Sequence, residues 1–148
     1  MKIGIGNDHA AVEMKQEIAE YLKEKGYEVV NYGTDTHESC NYPEYGEKVG
    51  RAVASGEVDL GILICGTGIG VSIAANKVKG AYAALLSDVY SAQRARLSND
   101  ANIACMGAFT SGSKERELMT EAFLTNEFVP GCSSQPKVDA FVEYDKNR

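Results

Sequence analysis

The sequence is short of basic residues. Its 15 lysines and arginines stand against 21 aspartates and glutamates, a net charge of -6. That balance argues against nucleic acid or an anionic membrane as a partner, since both reward a basic surface. No apolar run approaches the roughly eighteen residues that a membrane span needs. The opening Met1-Lys2-Ile3-Gly4-Ile5-Gly6 has no apolar signal core and no small-residue cleavage pattern, so ordered structure is expected from the start, in a cytoplasmic setting. Cysteine is sparse: Cys40, Cys65, Cys105 and Cys132 lie far apart, with no CxxC pair, a poor basis for a disulfide framework. Only His9 and His37 could add nitrogen ligands, at no ligand-like spacing, so no metal is expected. Internal repeats, low-complexity segments and linkers are absent as well.

What is present is an ordinary globular composition, 44% apolar and 24% charged over 148 residues, enough for one domain with a real core. Short apolar runs alternate with segments of helical period. Strands are expected at Lys2–Gly6, Tyr27–Tyr32, Leu60–Ile64, Ala81–Leu86 and Asn102–Met106; the third and fourth read as strands buried on both faces. Helices are expected from about Ala10 to Lys25, with Gly26 as its stop, from Pro43 to about Ser55, from Ile69 to Lys77 and from Val89 to Leu97. Two more are expected at Ser113–Leu124, capped by Ser111 or Ser113, and at Pro136–Tyr144. Five rounds of strand and helix predict an α/β domain: a parallel sheet covered by helices on both faces, joined by right-handed crossovers. The last fifteen or so residues are the least core-like, and the segment from about residue 130 is expected to pack on a partner subunit.

In such sheets ligands bind beyond the carboxyl ends of the strands, near the point where strand order reverses. That selects Asn7-Asp8-His9, Cys65 through Gly70, Ser87-Asp88 and Gly107. Ser98, Asn99 and Asp100 precede the fifth strand and belong to the opposite rim, unless their loop reaches around or serves a partner's site. Gly66-Thr67-Gly68-Ile69-Gly70 is either a tight turn that needs glycine or an anion cradle of convergent N–H groups at a helix start. It is not a GxGxxG fingerprint and no Walker lysine follows. Cys65 ends the strand beside those donors, where a thiolate would be stabilised; an inert buried thiol is the reading for Cys40 and Cys105. A phosphatase would need arginine six residues on, where Val71 stands. A thiol beside an oxyanion cradle and the Thr67 hydroxyl suits proton abstraction next to a carbonyl, with the enediolate held by backbone donors.

Gly4–Ala10, Asn41-Tyr42-Pro43, Gly61–Gly70 with Ser72–Lys77, Tyr90-Ser91-Ala92 and Asn99–Asn102 together resemble ribose-5-phosphate isomerase B, a family sharing its fold with the subunits of galactose-6-phosphate isomerase. The likeness spans essentially the whole chain. It implies a single-domain Rossmann-like doubly wound sheet, no metal or organic cofactor, a sugar or sugar-phosphate substrate, and a homodimer or homotetramer with shared active sites. By position, Cys65 resembles the general base moving a proton between C1 and C2. Thr67 matches the residue assisting transfer between O1 and O2, and Gly66, Gly68 and Gly70 the enediolate cradle. Asp8 and His9 match positions that hold and open the sugar ring, and Tyr42 and Asn99 line the same pocket. Simpler roles exist for three of them: Asp8 as a helix cap, Tyr42 as a packing residue, Asn99 as a turn former.

The departures bear on the substrate. Ser98 stands where many members carry a ring-opening histidine, so ring opening falls to Asp8, His9, Ser98 with water, or the sugar's own equilibrium. Phe109, Cys132 and Lys137 stand at expected phosphate-binding arginines, and only Lys137 keeps a charge, with His9 or Arg96 as further candidates to compensate. Weakened phosphate recognition and isomerisation of unphosphorylated aldoses are the resulting expectations. A galactose-6-phosphate isomerase subunit and a non-catalytic sugar- or anion-binding regulator are the alternatives. A response-regulator-like domain is disfavoured, because Cys65 occupies the place of its phosphoacceptor aspartate.

Overall fold

A strand buried on both faces must be apolar at every position, and Leu60–Cys65 meets that condition. In the computed structural model, which describes residues Met1–Arg148, this segment is β3, buried throughout. It lies at the centre of a five-stranded parallel sheet with β1 (Lys2–Asn7), β2 (Glu28–Asn31), β4 (Ala83–Leu85) and β5 (Ile103–Gly107), in the order β2-β1-β3-β5-β4. Alternation along β3 divides the core. Leu60, Ile62 and Ile64 face α1 (Val12–Glu24), α4 (Val89–Leu97) and α5 (Ser113–Thr125); Leu63 and Cys65 face α2 (Tyr42–Ala54) and α3 (Ile69–Ala75). Helices thus cover both faces, as the strand–helix alternation predicts.

Helix α1 buries Met14, Ile18 and Leu22 at the spacing read from the sequence, and Gly26 follows its C-cap with φ 90°. Helix α4 is opened by a capping box in which the Asp88 side chain accepts from Ser91 N and the Ser91 hydroxyl meets the Asp88 backbone.

Three expectations are corrected. The fourth strand is not buried on both faces: β4 is short, lies at the sheet edge, and leaves Leu85 45% exposed. Neither Ser111 nor Ser113 caps α5, whose N-cap is Gly112; Ser111 Oγ instead donates to Gly107 O. Helix α3 ends at Ala75 rather than Lys77 because the Asn76 side chain turns to pair with both backbone groups of Ala83. The last helix, α6 (Gln135–Lys146), packs on its own chain: Val138 is buried, Phe141 meets Tyr82, and Asp145 accepts from Gly80 N and the Tyr82 hydroxyl. Those donors and the neighbouring Arg148 hold the Asp145 carboxyl below the usual carboxylate range, the Gly80 N–H foremost, whereas burial first and the Asp145 contact second push Tyr82 up to about 12.

Candidate active site

The strand order reverses between β1 and β3, because the chain leaves β1 toward one edge of the sheet and β3 toward the other. Parallel pairing sets Asn7 beside Ile64, so the residues that follow, Asp8-His9 and Cys65-Gly66, emerge side by side. Cys65 is 6% exposed, and its sulfur accepts a hydrogen bond from Gly68 N at 3.1 Å. A donor aimed at sulfur stabilises negative charge there. Thr67 is exposed and its hydroxyl accepts from Ile69 N at 3.2 Å. The N–H groups of Gly66, Thr67 and Gly70 make no backbone hydrogen bond and are free to face an oxyanion. Because α3 has only seven residues, the cradle rests on these loop donors rather than on a helix dipole.

Gly68 adopts φ 80°, and a Cβ there would stand 2.8 Å from the Met106 carbonyl carbon. Gly70 is needed for a different reason: the Tyr42 ring lies over it, and a Cβ would come within 2.6 Å of the ring. Tyr42 is therefore brought to the loop by the start of α2, with its Pro43. The Phe109 ring lies over Gly66 and is 78% exposed.

Asp8 does act as a cap: its carboxylate accepts from Ala10 N at the 3-10 turn His9–Ala11. It is also 7% exposed and lies at the switch point, beside Cys65. His9 Nδ1 accepts from Cys40 N at 3.3 Å and lies 3.5 Å from Cys40 Sγ. An accepting Nδ1 puts the proton of the neutral ring on Nε2. The expectation that Cys40 is buried is corrected: it is half-buried beside His9, 31 residues away in sequence, and no local pattern marks the contact. For Cys105 the reading agrees with the structure, since complete burial first and the nearby Cys65 second push that thiol far above its ordinary range.

The structure thus gathers Asp8, His9, Tyr42, Cys65, Thr67 and the Gly66, Gly68 and Gly70 backbone. It does not bring Ser98, Asn99 or Lys137 to them within one chain. Ser98 is the C-cap of α4 at the amino end of β5, and its hydroxyl accepts from Arg94 Nε at 2.8 Å. Asn99 follows on that opposite rim. Lys137 is exposed on the first turn of α6. Arg96 is spent on the carbonyls of Ala101 and Asn126, and Arg116, which donates to Ala108 O behind Phe109, also binds Ser111 and Glu17. A cavity of ≈ 230 Å³ beside Thr67 is lined by Ile69, Leu85, Ser111 and Glu115 among others and by no cation. No group of three or more His, Cys, Asp or Glu is arranged to hold a metal ion, and no helix is long and apolar enough to cross a membrane.

Residues 3–141 match the family described as Ribose/Galactose Isomerase. The chain belongs to this family. It is 46% identical to the ribose-5-P isomerase B of Listeria innocua, with 100% of each chain covered. It is also 42% identical to the D-erythrulose-4-phosphate isomerase of Pectobacterium atrosepticum, covering 98% of this chain and 95% of the relative. The solved ribose-5-phosphate isomerase B of Clostridium thermocellum superposes with a TM-score of 0.95 at 46% identity, with 99% of each chain covered. The protein is accordingly a sugar-phosphate isomerase of the ribose-5-phosphate isomerase B type, an aldose–ketose isomerase. An aldose–ketose isomerisation calls for a proton acceptor beside donors for a developing oxyanion.

Proposed function

We propose that the protein interconverts ribose 5-phosphate and ribulose 5-phosphate through a cis-enediolate, with Cys65 as general base. The observation that carries this is the Cys65 sulfur, hydrogen-bonded by Gly68 N–H beside the unpaired N–H groups of Gly66, Thr67 and Gly70. The thiolate takes the proton from C2 of the open aldose. Electrons move from the C2–H bond into a C1–C2 double bond, and the carbonyl oxygen becomes an oxyanion held by the loop. Thr67 relays a proton between O1 and O2, and the Cys65 thiol returns the carbon-bound proton to C1. Asp8 and the Nε2–H of His9 hold the ring oxygens and assist opening, and Tyr42 forms the wall over Gly70.

The single chain leaves Ser98 and Asn99 on the far rim, and a second copy is the natural supplier. Ile69, Ile73, Leu85 and Tyr90, on α3, the edge strand β4 and α4, are between 45% and 72% exposed, an apolar surface of the kind that partners cover. Mixing Cys65→Ala and Asn99→Ala proteins tests this sharing. Hybrid dimers would hold one intact site of two, returning up to about a quarter of wild-type activity from inactive parents, as two-fold symmetry requires. No recovery after subunit exchange is verified would exclude shared sites.

The phosphate end is weakly equipped. Phe109 on Gly66 offers no charge, Arg96 and Arg116 are committed elsewhere, and the cavity beside Thr67 holds Glu115. Each charge-assisted contact is worth about 1.5–3 kcal/mol, so three together would favour phosphate by many thousandfold. With two of the three lost, at Phe109 and Cys132, and only Lys137 keeping a charge, free ribose or a free hexose is expected to be isomerised within about a thousandfold of ribose 5-phosphate in kcat/KM. A larger preference for the phosphorylated sugar overturns the relaxed-specificity reading while leaving the isomerase itself intact.

A further inference from the structure

Lysine is almost never fully buried unless paired. Lys15, on α1, is 3% exposed and is the sole buried basic residue of the chain. Its ammonium donates to Thr34 O at 2.6 Å and to the Asp35 carboxylate. The Lys15 contact first, then the Asn31 amide, hold the Asp35 carboxyl below its ordinary range. Only the lysine of this pair is buried, since the Asp35 side chain is 68% exposed, and a buried ammonium is a costly way to gain stability where an apolar group of like volume would fill the space.

Thr34 O is a junction. It accepts from Lys15 and also from Asn7 Nδ2 at 3.0 Å, and the same amide nitrogen donates to Asp8 O at 2.9 Å. Beyond Thr34 the loop runs back along the start of α1. His37 pairs with Glu13, Cys40 meets His9, and Tyr42 reaches over Gly70. The Glu13–His37 link is solvent-exposed on both sides and therefore weak. The interior anchors of the loop are Asn7 and Lys15, and of the two only Lys15 also holds Asp35.

We propose that Lys15 is a positioning residue for substrate binding: its buried ammonium pins Thr34 and Asp35 so that the loop from 33 to 41 delivers Cys40 to His9 and Tyr42 to Gly70. This rests on the reading of His9 and Tyr42 as substrate-binding groups. The Lys15 ammonium is bonded to Thr34 and Asp35 and to no group of the Cys65 loop. Its loss therefore weakens contacts made equally in ground and transition states, which raises KM and spares kcat.

The test uses the full chain with Lys15→Met, Lys15→Arg and Asp35→Asn, assayed on ribose 5-phosphate and digested under native conditions with a protease of broad specificity. Lys15→Met is expected to raise KM by about tenfold or more, with kcat within about twofold, the pattern of lost uniform binding. Cleavage within residues 36–41 should accelerate in parallel. Lys15→Arg, which keeps a cation and donors, should recover most of the wild-type KM, and Asp35→Asn should raise KM less than Lys15→Met. A Lys15→Met protein with wild-type KM and wild-type cleavage overturns the proposal, even if its melting temperature falls. If Lys15→Met does not fold, Asp35→Asn decides, and an unchanged KM with unchanged cleavage overturns it. Failure of the functional reading is distinct: the wild type would turn over no aldose, and loop cleavage alone would then decide the role of Lys15.

Discussion

Cys65→Ala is expected to lower kcat on ribose 5-phosphate by about 10²–10⁴-fold, the usual contribution of a positioned acid–base group. The loss falls on kcat because proton transfer from carbon belongs to the transition state, while the groups that hold the resting sugar stay in place. Folding should be nearly untouched. Cys65 ends β3 with its sulfur in a single hydrogen bond to Gly68, and the substitution removes one atom near the mouth of the site. Turnover in deuterated water gives a second readout, since an enediolate mechanism exchanges the C2 proton with solvent and the alanine protein should not. Retention of more than about a tenth of wild-type kcat would exclude Cys65 as the base, because so small a loss, about 1.4 kcal/mol, lies below the contribution of a catalytic base.

Gly68→Ala is expected to damage stability and activity together. The residue sits at φ 80°, where an L side chain costs about 1–2 kcal/mol. Its Cβ would also stand 2.8 Å and 2.9 Å from the Met106 carbonyl group, main chain of the interior strand β5 that cannot rotate away. Overpacking of this kind costs about 1–3 kcal/mol. A loss of about 2–5 kcal/mol in urea unfolding follows from the two together. Relief of the clash would pull Gly68 N–H off the Cys65 sulfur and displace the neighbouring donors. Loss of one such donor alone lowers kcat by about 10²–10³-fold. A Gly68→Ala protein with wild-type stability and kcat would mean that the loop is a simple turn.

Much of this was legible in the residues. Met14, Ile18 and Leu22 announce α1 by spacing, and the unbroken Leu60–Ile64 run announces a central strand, because both patterns follow from which side chains must leave water. The Ala81–Leu86 run misleads for the same reason. Its composition is that of a buried strand, but sheet order places β4 at the edge, and order depends on crossovers that no local run encodes. Family likeness made Cys65, Thr67, Asp8 and His9 readable as a set. It did not extend to Cys40, which lies in a polar loop, or to Lys15, which reads as one more charged residue of an amphipathic helix.

The residues in their order, read with their family likeness, pointed to the reaction class, because a thiol at the end of a central strand followed by glycines is a local arrangement that the fold presents wherever that strand lies. Tertiary structure alone decided who stands around that thiol. Thr34, 19 residues from Lys15, and Cys40, 31 residues from His9, become neighbours only because β2 returns beside β1 and sends its loop back along α1. Ser98 is separated from Cys65 by the same logic, since α4 delivers it to the amino end of β5. Contacts of this range are paid for by the whole core, and so no segment read alone contains them.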